Sequence, residues 1–489
     1  MTVPKLPRFH PMTVLQNWDA ISPGAALRIE DAKTGVACFG GTGSGKSSGP
    51  AKHIASGYLA HDFGGIVLCA KPEEAQQWTE WAAEQGRLGD LRFVDASGTE
   101  RFNFLDWEAE QAGAGGGLTL NIVALLDEIA GAIAGNAGSA SDGGGDNKFF
   151  DDALHHMNTN LVDLQLFAGL PVSLPLMRAI VNTAPQSLQE AQSEEWRNGK
   201  GECAAMLARG DKLTSAPAAD PDVRADFEEC RAYWLQEFPN LSEKTRSIIT
   251  LSFSMLARPF LTRPLRRIFS THTTLKPEDT FDGKIIIVNL PVQEFRLAGR
   301  VAQLAWKYCF QIAVLRRQQP PEGEYLRPVF LWWDEGQNFL TKFDTEWHAV
   351  ARSAAGCSVM LVQTREALRS VLGNNDAVDA LLANLQIKFF CQNSSVDTND
   401  FGSRLIGERW VDHHTTNVPG EGRGGVSVSE HKRRWVEPSR FTTLKRGGSR
   451  NNYRVQAICY NGGNEFVKQA EDGSSVRLPC EIFTFNQRG

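Results

Sequence analysis

The sequence predicts an α/β fold with a mainly parallel sheet, plus an inserted all-α domain. Short apolar runs at 35–40, 64–70 and 91–97 alternate with helix-like stretches, which is typical of buried strands in a parallel sheet. From Phe149 to about Ser270 the pattern is helical and lacks convincing strands. Strand patterns return after this region, so we expect the sheet to be assembled from two separated parts of the chain.

The later strand patterns are short, apolar and mostly separated by amphipathic stretches. They lie at 283–291, 328–335, 357–364, 387–393 and 453–461. The predicted domains are therefore 1–148 for the first part of the α/β domain, 149–275 for the all-α insertion, and 276–489 for the second part with its C-terminal strands.

Three segments are predicted to be loops. Residues 112–117 and 135–147 are rich in glycine and small side chains, which favours flexible connections. Segment 412–434 is polar and contains several glycines. We expect no regular structure there.

Composition limits the possible functions of the chain. Its 489 residues, 42% of them hydrophobic, are more than one hydrophobic core usually holds, so two domains are expected. Its net charge of −6 argues against a protein that coats nucleic acid. Nine cysteines occur singly and none forms a CxxC pair, so we expect reduced, buried thiols in a cytoplasmic protein. No run approaches the roughly 18 apolar residues of a membrane span, and no signal peptide is expected.

A phosphate-binding loop is the most specific motif. GGTGSGKS at 40–47 matches GxxxxGK[ST] and directly follows the predicted strand 35–40. Glycines let successive backbone N–H groups point inward around an anion, and the next helix adds its positive end. Lys46 is expected to reach the β- and γ-phosphates of ATP, and Ser47 to hold Mg²⁺. The predicted nucleotide-binding residues are Gly40, Gly41, Thr42, Gly43, Ser44, Gly45, Lys46, Ser47 and Ser48.

Hydrolysis needs acidic groups at the end of a second buried strand. The apolar run 329–333 supplies such a strand and ends in Asp334 and Glu335. Asp334 is predicted to bind Mg²⁺ through water, and Glu335 to polarise the attacking water. A DE pair at a strand end can also be a solvated turn, but its combination with the phosphate-binding loop favours a catalytic role.

Two further residues are candidates for the hydrolytic site. Gln363 ends the strand pattern 357–364 and, as in RecA-like motors, is predicted to sense the γ-phosphate. Arg352 precedes the same strand and is a candidate for the cation that ring ATPases receive from a neighbouring subunit. Arg404 is a second candidate for that cation. Either arginine can instead be an ordinary residue of a helix surface.

These motifs, in this order, resemble the HerA–FtsK superfamily of pumping ATPases, and within it the type IV coupling proteins of the TraG and TraD kind. GGTGSGKSS, LWWDEGQNF and ARSAAGCSVMLVQTREAL are similar to the family's P-loop, second acidic motif and sensor strand. LRFVDASGTERFNFLD, KFFDDALHHMNTNLVDL and LLANLQIKFFCQNSSVDTNDFGSRLIGERWV resemble further family segments. The resemblance covers residues 30–465. Two features depart from it: the family's N-terminal membrane span is not seen, and KPEE at 71–74 replaces a DxKxE-like pattern.

The resemblance implies a RecA-like P-loop NTPase domain and a homo-hexameric ring with ATP sites between subunits. It implies that single- or double-stranded DNA passes through a central pore, and that the all-α domain contacts a relaxase or effector cargo. Secretion-channel components are further implied partners of a cytoplasmic ring at the inner face of the membrane. The expected function is an ATP-hydrolysing translocase of DNA, or of a DNA–protein complex, for conjugation or type IV secretion.

Two alternatives stay open. A HerA- or FtsK-like DNA translocase or packaging motor outside secretion would carry the same nucleotide motifs. A nucleotide-dependent adaptor that recruits cargo through its helical domain would need no hydrolysis, and Asp334 with Glu335 argues against it.

DNA contact is predicted at local basic clusters rather than over the whole surface. These clusters lie at 258–269, 314–319, 430–435 and 445–454. The first combines arginines with Phe260 and Phe269, which suits phosphate binding and base stacking. The third lies in a predicted loop, and loops that line a pore are where a motor can grip DNA.

Overall fold

The computed structural model of the chain describes residues 6–113, 116–134, 146–417, 425–469 and 474–488. Its strands are β1 (Val14–Asn17), β2 (Ala26–Arg28), β3 (Val36–Phe39), β4 (Gly64–Leu68), β5 (Leu91–Asp95), β6 (Ile285–Asn289), β7 (Val329–Trp333), β8 (Gly356–Val362), β9 (Ile387–Phe390), β10 (Glu408–Asn417), β11 (Gly425–Arg434), β12 (Arg454–Asn461), β13 (Phe466–Gln469), β14 (Ser475–Leu478) and β15 (Cys480–Asn486).

Its α-helices are α1 (Ile29–Ala32), α2 (Lys52–Ala60), α3 (Glu73–Glu84), α4 (Phe104–Ala109), α5 (Thr119–Ala134), α6 (Asp146–Phe167), α7 (Leu174–Thr183), α8 (Leu188–Gln192), α9 (Glu194–Arg197), α10 (Glu202–Thr214), α11 (Pro221–Ala232), α12 (Phe238–Asn240), α13 (Glu243–Leu261), α14 (Leu265–Phe269), α15 (Val292–Leu315, kinked at Arg296), α16 (Phe343–Val350), α17 (Arg365–Leu372), α18 (Asn375–Ala383), α19 (Val396–Ile406) and α20 (Pro438–Thr442). No helix in the described ranges combines the length and apolar character that crossing a membrane requires.

A nine-stranded sheet has the order β15-β12-β9-β3-β8-β7-β4-β6-β5. β3 pairs in parallel with β8 and β9, and β7 pairs in parallel with β8 and β4. β12 runs antiparallel to both β9 and β15. The central strands β3, β7 and β8 are buried along their whole length, which explains their unbroken apolar sequences. The predicted mainly parallel α/β fold is therefore confirmed.

The chain divides into two compact units. The first contains Met1–Leu91, Thr280–Ile286 and Ala313–Gly489, and the second, helical unit contains Arg92–Asp279 and Ile287–Ile312. The strands that precede the predicted nucleotide motifs, β3, β7 and β8, belong to the first unit. The domain bounds given by the sequence stay a prediction.

The helical unit is organised around α6, which packs against α5, α7, α10, α11 and α13. Met157 and Leu161, one helical turn apart on α6, are fully buried. Trp234 is also fully buried, and its Nε1 donates a hydrogen bond to the carbonyl of Asn160 at 3.2 Å. The apolar stripe of α6 thus explains why a helical insertion can form a core of its own.

The segment predicted as a loop at 412–434 was assigned wrongly over most of its length. β10 and β11 pair antiparallel, from Glu408 opposite Arg434 to Asn417 opposite Gly425. The sequence alternates β-branched, aromatic and polar residues, and polarity on both faces of the hairpin hides the strand pattern. Residues 418–424 lie outside the described part. So do 114–115 and 135–145 of the two glycine-rich patches, whereas Asp146 and Asn147 already begin α6.

Candidate active site

The phosphate-binding loop follows β3 and depends on glycine. Gly43 and Gly45 have φ values of +71° and +87°, which L side chains rarely adopt. A Cβ atom on Gly45 would lie only 2.4 Å from Cγ2 of Val455 on β12. The loop is therefore packed against β12, and only glycine fits at this contact.

A helix begins directly after Lys46. Its first turn, Ser47–Ala51, is π-helical, and α2 continues it. Pro50 has no N–H for the usual bond to the Lys46 carbonyl, and the N–H of Ala51 donates to that oxygen instead, at 3.1 Å. The positive end of the helix therefore lies at the loop, as phosphate binding requires.

The second acidic motif meets this loop. Ser47 Oγ donates a hydrogen bond to Asp334 Oδ2 at 2.7 Å, and the backbone N–H of Glu335 donates to Asp334 Oδ1 at 2.8 Å. Lys46 Nζ lies 3.4 Å from Glu335 Oε1. The structure thus brings together the four residues on which the sequence prediction of hydrolysis depends.

Glu335 is held by several donors in a strained backbone position. Its φ and ψ of 50° and 50° are left-handed, which is uncommon for glutamate. Its side chain is 7% exposed, and Lys71 Nζ donates to Oε1 at 2.8 Å. Gln337 Nε2 donates to Oε2 at 3.1 Å. Burial would raise the pKa of Glu335, but the charge of Lys46 and the hydrogen bonds from Lys71 and Gln337 lower it to about 2.

Gln363 also contacts Glu335. Its Nε2 donates to Oε2 at 3.1 Å and to Oε1 at 3.3 Å, and the backbone carbonyl of Gln363 accepts a hydrogen bond from Asn393 Nδ2 at 2.7 Å. β8 lies between β3 and β7 in the sheet, so its carboxyl end lies beside both motifs. The amide is therefore placed where the sequence prediction put it, although its role as a phosphate sensor stays a prediction.

Sequence reasoning left the role of Lys71 uncertain and missed Gln337. Lys71 follows β4. Burial would lower the pKa of Lys71, but its hydrogen bond to Glu335 and the charge of Asp334 raise it. Since β4 pairs in parallel with β7, the residues after both strands meet at one edge of the sheet. That pairing could not be read from the sequence, because β4 and β7 lie in separate parts of the chain.

Sequence reasoning also missed Glu74. Glu73 is exposed, whereas Glu74 is 6% exposed and its Oε2 accepts the backbone N–H of Ala70 at 2.7 Å. Burial, and then the charge of Asp334, raise the pKa of Glu74 to about 8. Helical spacing was a usable signal, because Glu74 shares the buried face of α3 with Trp78 and Trp81.

The residues at this edge suit a magnesium ion. Mg²⁺ prefers hard oxygen ligands, and the Ser47 hydroxyl and the Asp334 carboxylate are already adjacent. Ser48, in contrast, turns its hydroxyl away, and its Oγ accepts a hydrogen bond from Gln487 Nε2 at 2.6 Å. The assignment of Ser48 to the nucleotide site stays a prediction.

Neither candidate arginine lies at the phosphate-binding loop of its own chain. Arg352 is exposed on the turn before β8 and lines a surface cavity with Glu30 and Lys33. Arg404 is exposed on α19 and pairs with Asp400 at 2.9 Å. An action on a neighbouring subunit is compatible with either position and stays a prediction.

The basic clusters differ in what they offer to DNA. Phe260 and Phe269 are buried against each other and Phe104, so they cannot stack on bases as their sequence suggested. Arg317, in the second cluster, donates to the carbonyls of Ala354 and Arg327 and serves the fold. The third cluster is part of the exposed β10–β11 hairpin.

Residues 328–446 match the family model described as the TraM recognition site of TraD and TraG. This segment begins just before β7 and includes Asp334, Glu335 and Gln363. No curated protein sequence gives a significant match.

Solved structures with a similar fold include coupling proteins of bacterial conjugation. The unbound monoclinic form of the conjugative coupling protein TrwBdeltaN70 is 14% identical, with a TM-score of 0.60 over 98% of this chain and 90% of that one. Plasmid coupling protein TrwB in complex with the ATP analogue ADPNP is 14% identical, with a TM-score of 0.57 over 100% and 92% of the two chains. Its complex with ADP and Mg²⁺ is 14% identical, with a TM-score of 0.57 over 98% and 91%.

These findings confirm the predicted fold, a RecA-like P-loop domain with a mainly parallel sheet and an all-α part. The predicted resemblance to type IV coupling proteins is confirmed by the family model over 328–446 and by the fold as a whole.

Proposed function

We propose that this chain is a coupling-protein ATPase, which uses ATP hydrolysis to move DNA or a DNA–protein complex into a conjugation or type IV secretion channel. The observation that carries the proposal is the hydrogen bond of Ser47 to Asp334, with Lys46 and Glu335 beside it in the same unit. The two halves of a hydrolytic site are thus already assembled in one subunit.

The residues of the site suggest how hydrolysis proceeds. ATP phosphates occupy the loop, and Lys46 moves its ammonium from Glu335 to the β- and γ-phosphates. Glu335 then keeps Lys71, Gln363 and Gln337 as partners and is ionised at neutral pH, so it can accept a hydrogen bond from the attacking water. Ser47 and Asp334 would hold Mg²⁺, which neutralises developing phosphate charge.

DNA contact is proposed at the β10–β11 hairpin. Arg409 and Arg433 are exposed cross-strand partners, and like charges in that arrangement destabilise a hairpin unless an anion lies between them. Arg433 has no acidic partner among the described residues, and Arg409 lies 4.8 Å from the ring centre of Trp435. A guanidinium group beside an aromatic ring, with a second arginine directly across the hairpin, suits the phosphates and bases of a nucleic acid strand.

The remaining features of the assembly are also proposals. A homo-hexameric ring would place Arg352 at the ATP of the next subunit, and the hairpins would face the DNA path. Segment 328–446 would recognise a TraM-like partner, as the description of its matching family suggests. Contact with a relaxase, effector cargo or channel components is proposed through the exposed surfaces of the ring, which would lie at the inner face of the membrane.

The decisive experiment measures ATP turnover with and without single- and double-stranded DNA. DNA is expected to raise turnover of the full chain, and Lys46→Ala is expected to lose nucleotide binding. Glu335→Gln should keep nucleotide binding and lower turnover by roughly 10²–10⁴-fold. Turnover that is absent, or indifferent to DNA while nucleotide binding is normal, would overturn the proposal.

A further inference from the structure

Glu74 carries a buried carboxyl group that the hydrolytic steps above do not use. Its residue is 6% exposed and stands in the first turn of α3. Oε2 accepts the backbone N–H of Ala70 at 2.7 Å, but Oε1 is buried and receives no hydrogen bond from any described residue. Leaving a buried polar atom unsatisfied is costly, and more so for a charged group. A missing partner is therefore expected at Oε1.

The surroundings of Glu74 point to the class of that partner. Glu74 lines a small cavity together with the hydroxyl-bearing Ser47 and the acidic Asp334. The other lining residues are Val67, Leu68, Gln77, Trp78, Trp81, Trp332 and Leu361. No basic side chain is among them, so Asp334 and Glu74 share a mostly apolar space, and the charge of Lys71 offsets only part of the effect of Asp334 on the pKa of Glu74. In such a poorly hydrated space the charge of Asp334 disfavours ionisation of Glu74, and a cation or its bound water would offset this effect.

We propose that Glu74 is a third residue of the magnesium site and acts with Ser47 and Asp334 on the water shell of the cation. The inference rests on the proposed function, because the cation is the one that accompanies ATP. Magnesium dehydrates reluctantly and usually keeps several waters, each of which needs a hydrogen-bond acceptor. Carboxylates around a metal's ligands commonly change its affinity by 10–100-fold.

The chain offers a matched control in the neighbouring glutamate. Glu73 has the same side chain and lies in the same turn of α3, but it is exposed. A general electrostatic effect of a lost carboxylate should therefore appear in both variants, Glu74→Gln and Glu73→Gln. An effect through the buried cavity should appear only in the first.

The test titrates MgCl₂ into the full chain at a fixed concentration of a fluorescent ADP. The Mg²⁺ concentration at half-maximal tightening of ADP should rise about 10-fold in Glu74→Gln and stay at the wild-type value in Glu73→Gln. ADP affinity in EDTA should be the same in all three proteins. Tryptophan emission is a second readout, because Trp78, Trp81 and Trp332 line the cavity, and its response to Mg²⁺ should shift in parallel.

A wild-type Mg²⁺ midpoint in folded Glu74→Gln would overturn the inference and leave the proposed function intact. If Glu74→Gln does not fold, Glu74→Asp keeps the carboxyl group but shortens its reach, and the same rise in midpoint is required of it. A wild-type chain whose ADP binding does not respond to Mg²⁺ would overturn the proposed function, and this inference with it.

Discussion

Ser47 donates its hydroxyl hydrogen to Asp334 Oδ2 over 2.7 Å, although 287 positions separate the two residues in the chain. β3 and β7 both run parallel to β8, which lies between them, so their carboxyl ends reach the same edge of the sheet. The helical unit occupies much of the intervening sequence without changing this strand order. A large insertion is therefore compatible with an intact hydrolytic site.

The first prediction concerns Ser47→Ala. This change removes the hydroxyl that contacts Asp334 and, with it, one expected magnesium ligand, so the Mg²⁺ concentration for half-maximal ATP hydrolysis should rise about 10-fold. Ser48→Ala is the control, because the Ser48 hydroxyl contacts Gln487 instead. A Mg²⁺ titration of ATPase activity compares the variants, and equal shifts in both would contradict the assignment of Ser47.

The second prediction concerns Lys71→Met. The change removes the 2.8 Å hydrogen bond from Lys71 Nζ to Glu335 Oε1 and leaves Glu335 less firmly oriented. Because a poorly oriented general base slows the chemical step, kcat should fall about 10-fold with little change in KM. The pKa of Glu335 should also rise, because a nearby positive charge is lost. The acidic limb of the kcat profile should consequently move to higher pH.

Lys52→Met provides the control for Lys71. Lys52 pairs with Glu84 at 2.9 Å on the more exposed side of α2, so its loss should change neither kcat nor the pH profile. If Lys71→Met keeps the wild-type kcat and acidic limb, Lys71 does not position Glu335 during hydrolysis.

The third prediction concerns the hairpin arginines. Arg409→Ala with Arg433→Ala should weaken DNA binding and lower the slope of log K against log salt by about 1.4 for single strands, if each arginine neutralises one phosphate. Fluorescence anisotropy with labelled single-stranded DNA at several salt concentrations measures both effects. Arg477→Ala is the control, because this exposed arginine is already paired with Glu465 at 3.3 Å. An unchanged slope would mean that the hairpin contacts a protein partner rather than DNA.

The fourth prediction concerns Arg352 and neighbouring subunits. In a ring with shared sites, Lys46→Ala subunits can supply Arg352 to Arg352→Ala subunits, whose own phosphate-binding loops are intact. A mixture of two inactive variants should then regain part of the ATPase activity. Mixing Arg404→Ala with Lys46→Ala tests the second candidate in the same way. If only the Arg404 mixture regains ATPase activity, Arg404 rather than Arg352 supplies the cation to the neighbouring subunit.

The strands and motifs of the hydrolytic site can be predicted because each is encoded in contiguous residues. The loop at 40–47 needs glycines and a lysine at fixed spacing, and the strands before Asp334 and Gln363 are unbroken apolar runs. Such signals do not depend on what packs against them. They identify the residues of the site, but not the partners of those residues.

The choice between neighbouring side chains is harder to predict. Glu73 and Glu74 have the same chemistry. Only the rotation of α3 about its own axis, relative to β4 and β7, decides which of the two is buried. The β10–β11 hairpin was missed for another reason, since its two polar faces give no apolar alternation. In both places tertiary packing or hydrogen bonding, rather than local composition, determines the structure.

The fifth prediction concerns Lys388, a buried lysine on β9 that lies 3% exposed. Its Nζ donates to the carbonyl of Leu385 at 2.5 Å, and burial lowers its pKa from 10.5 to about 8. Between those two pH values the unfolded chain binds more protons at this residue than the folded protein, so its contribution to the free energy of unfolding rises with pH. Below pH 8 the folded protein holds a buried ammonium group, at a cost of up to about 3 kcal/mol.

Lys388→Met keeps the length of the side chain and removes the charge. The variant should therefore be more stable than wild type at pH 7, and its advantage should shrink as pH rises from 8 to 10.5. Urea unfolding at a series of pH values measures the difference, with exposed Lys445→Met as the control that should show no such trend. A stability difference that stays constant across this range would mean that Lys388 keeps its ordinary pKa, because water or a carbonyl cage then compensates for burial of the charge.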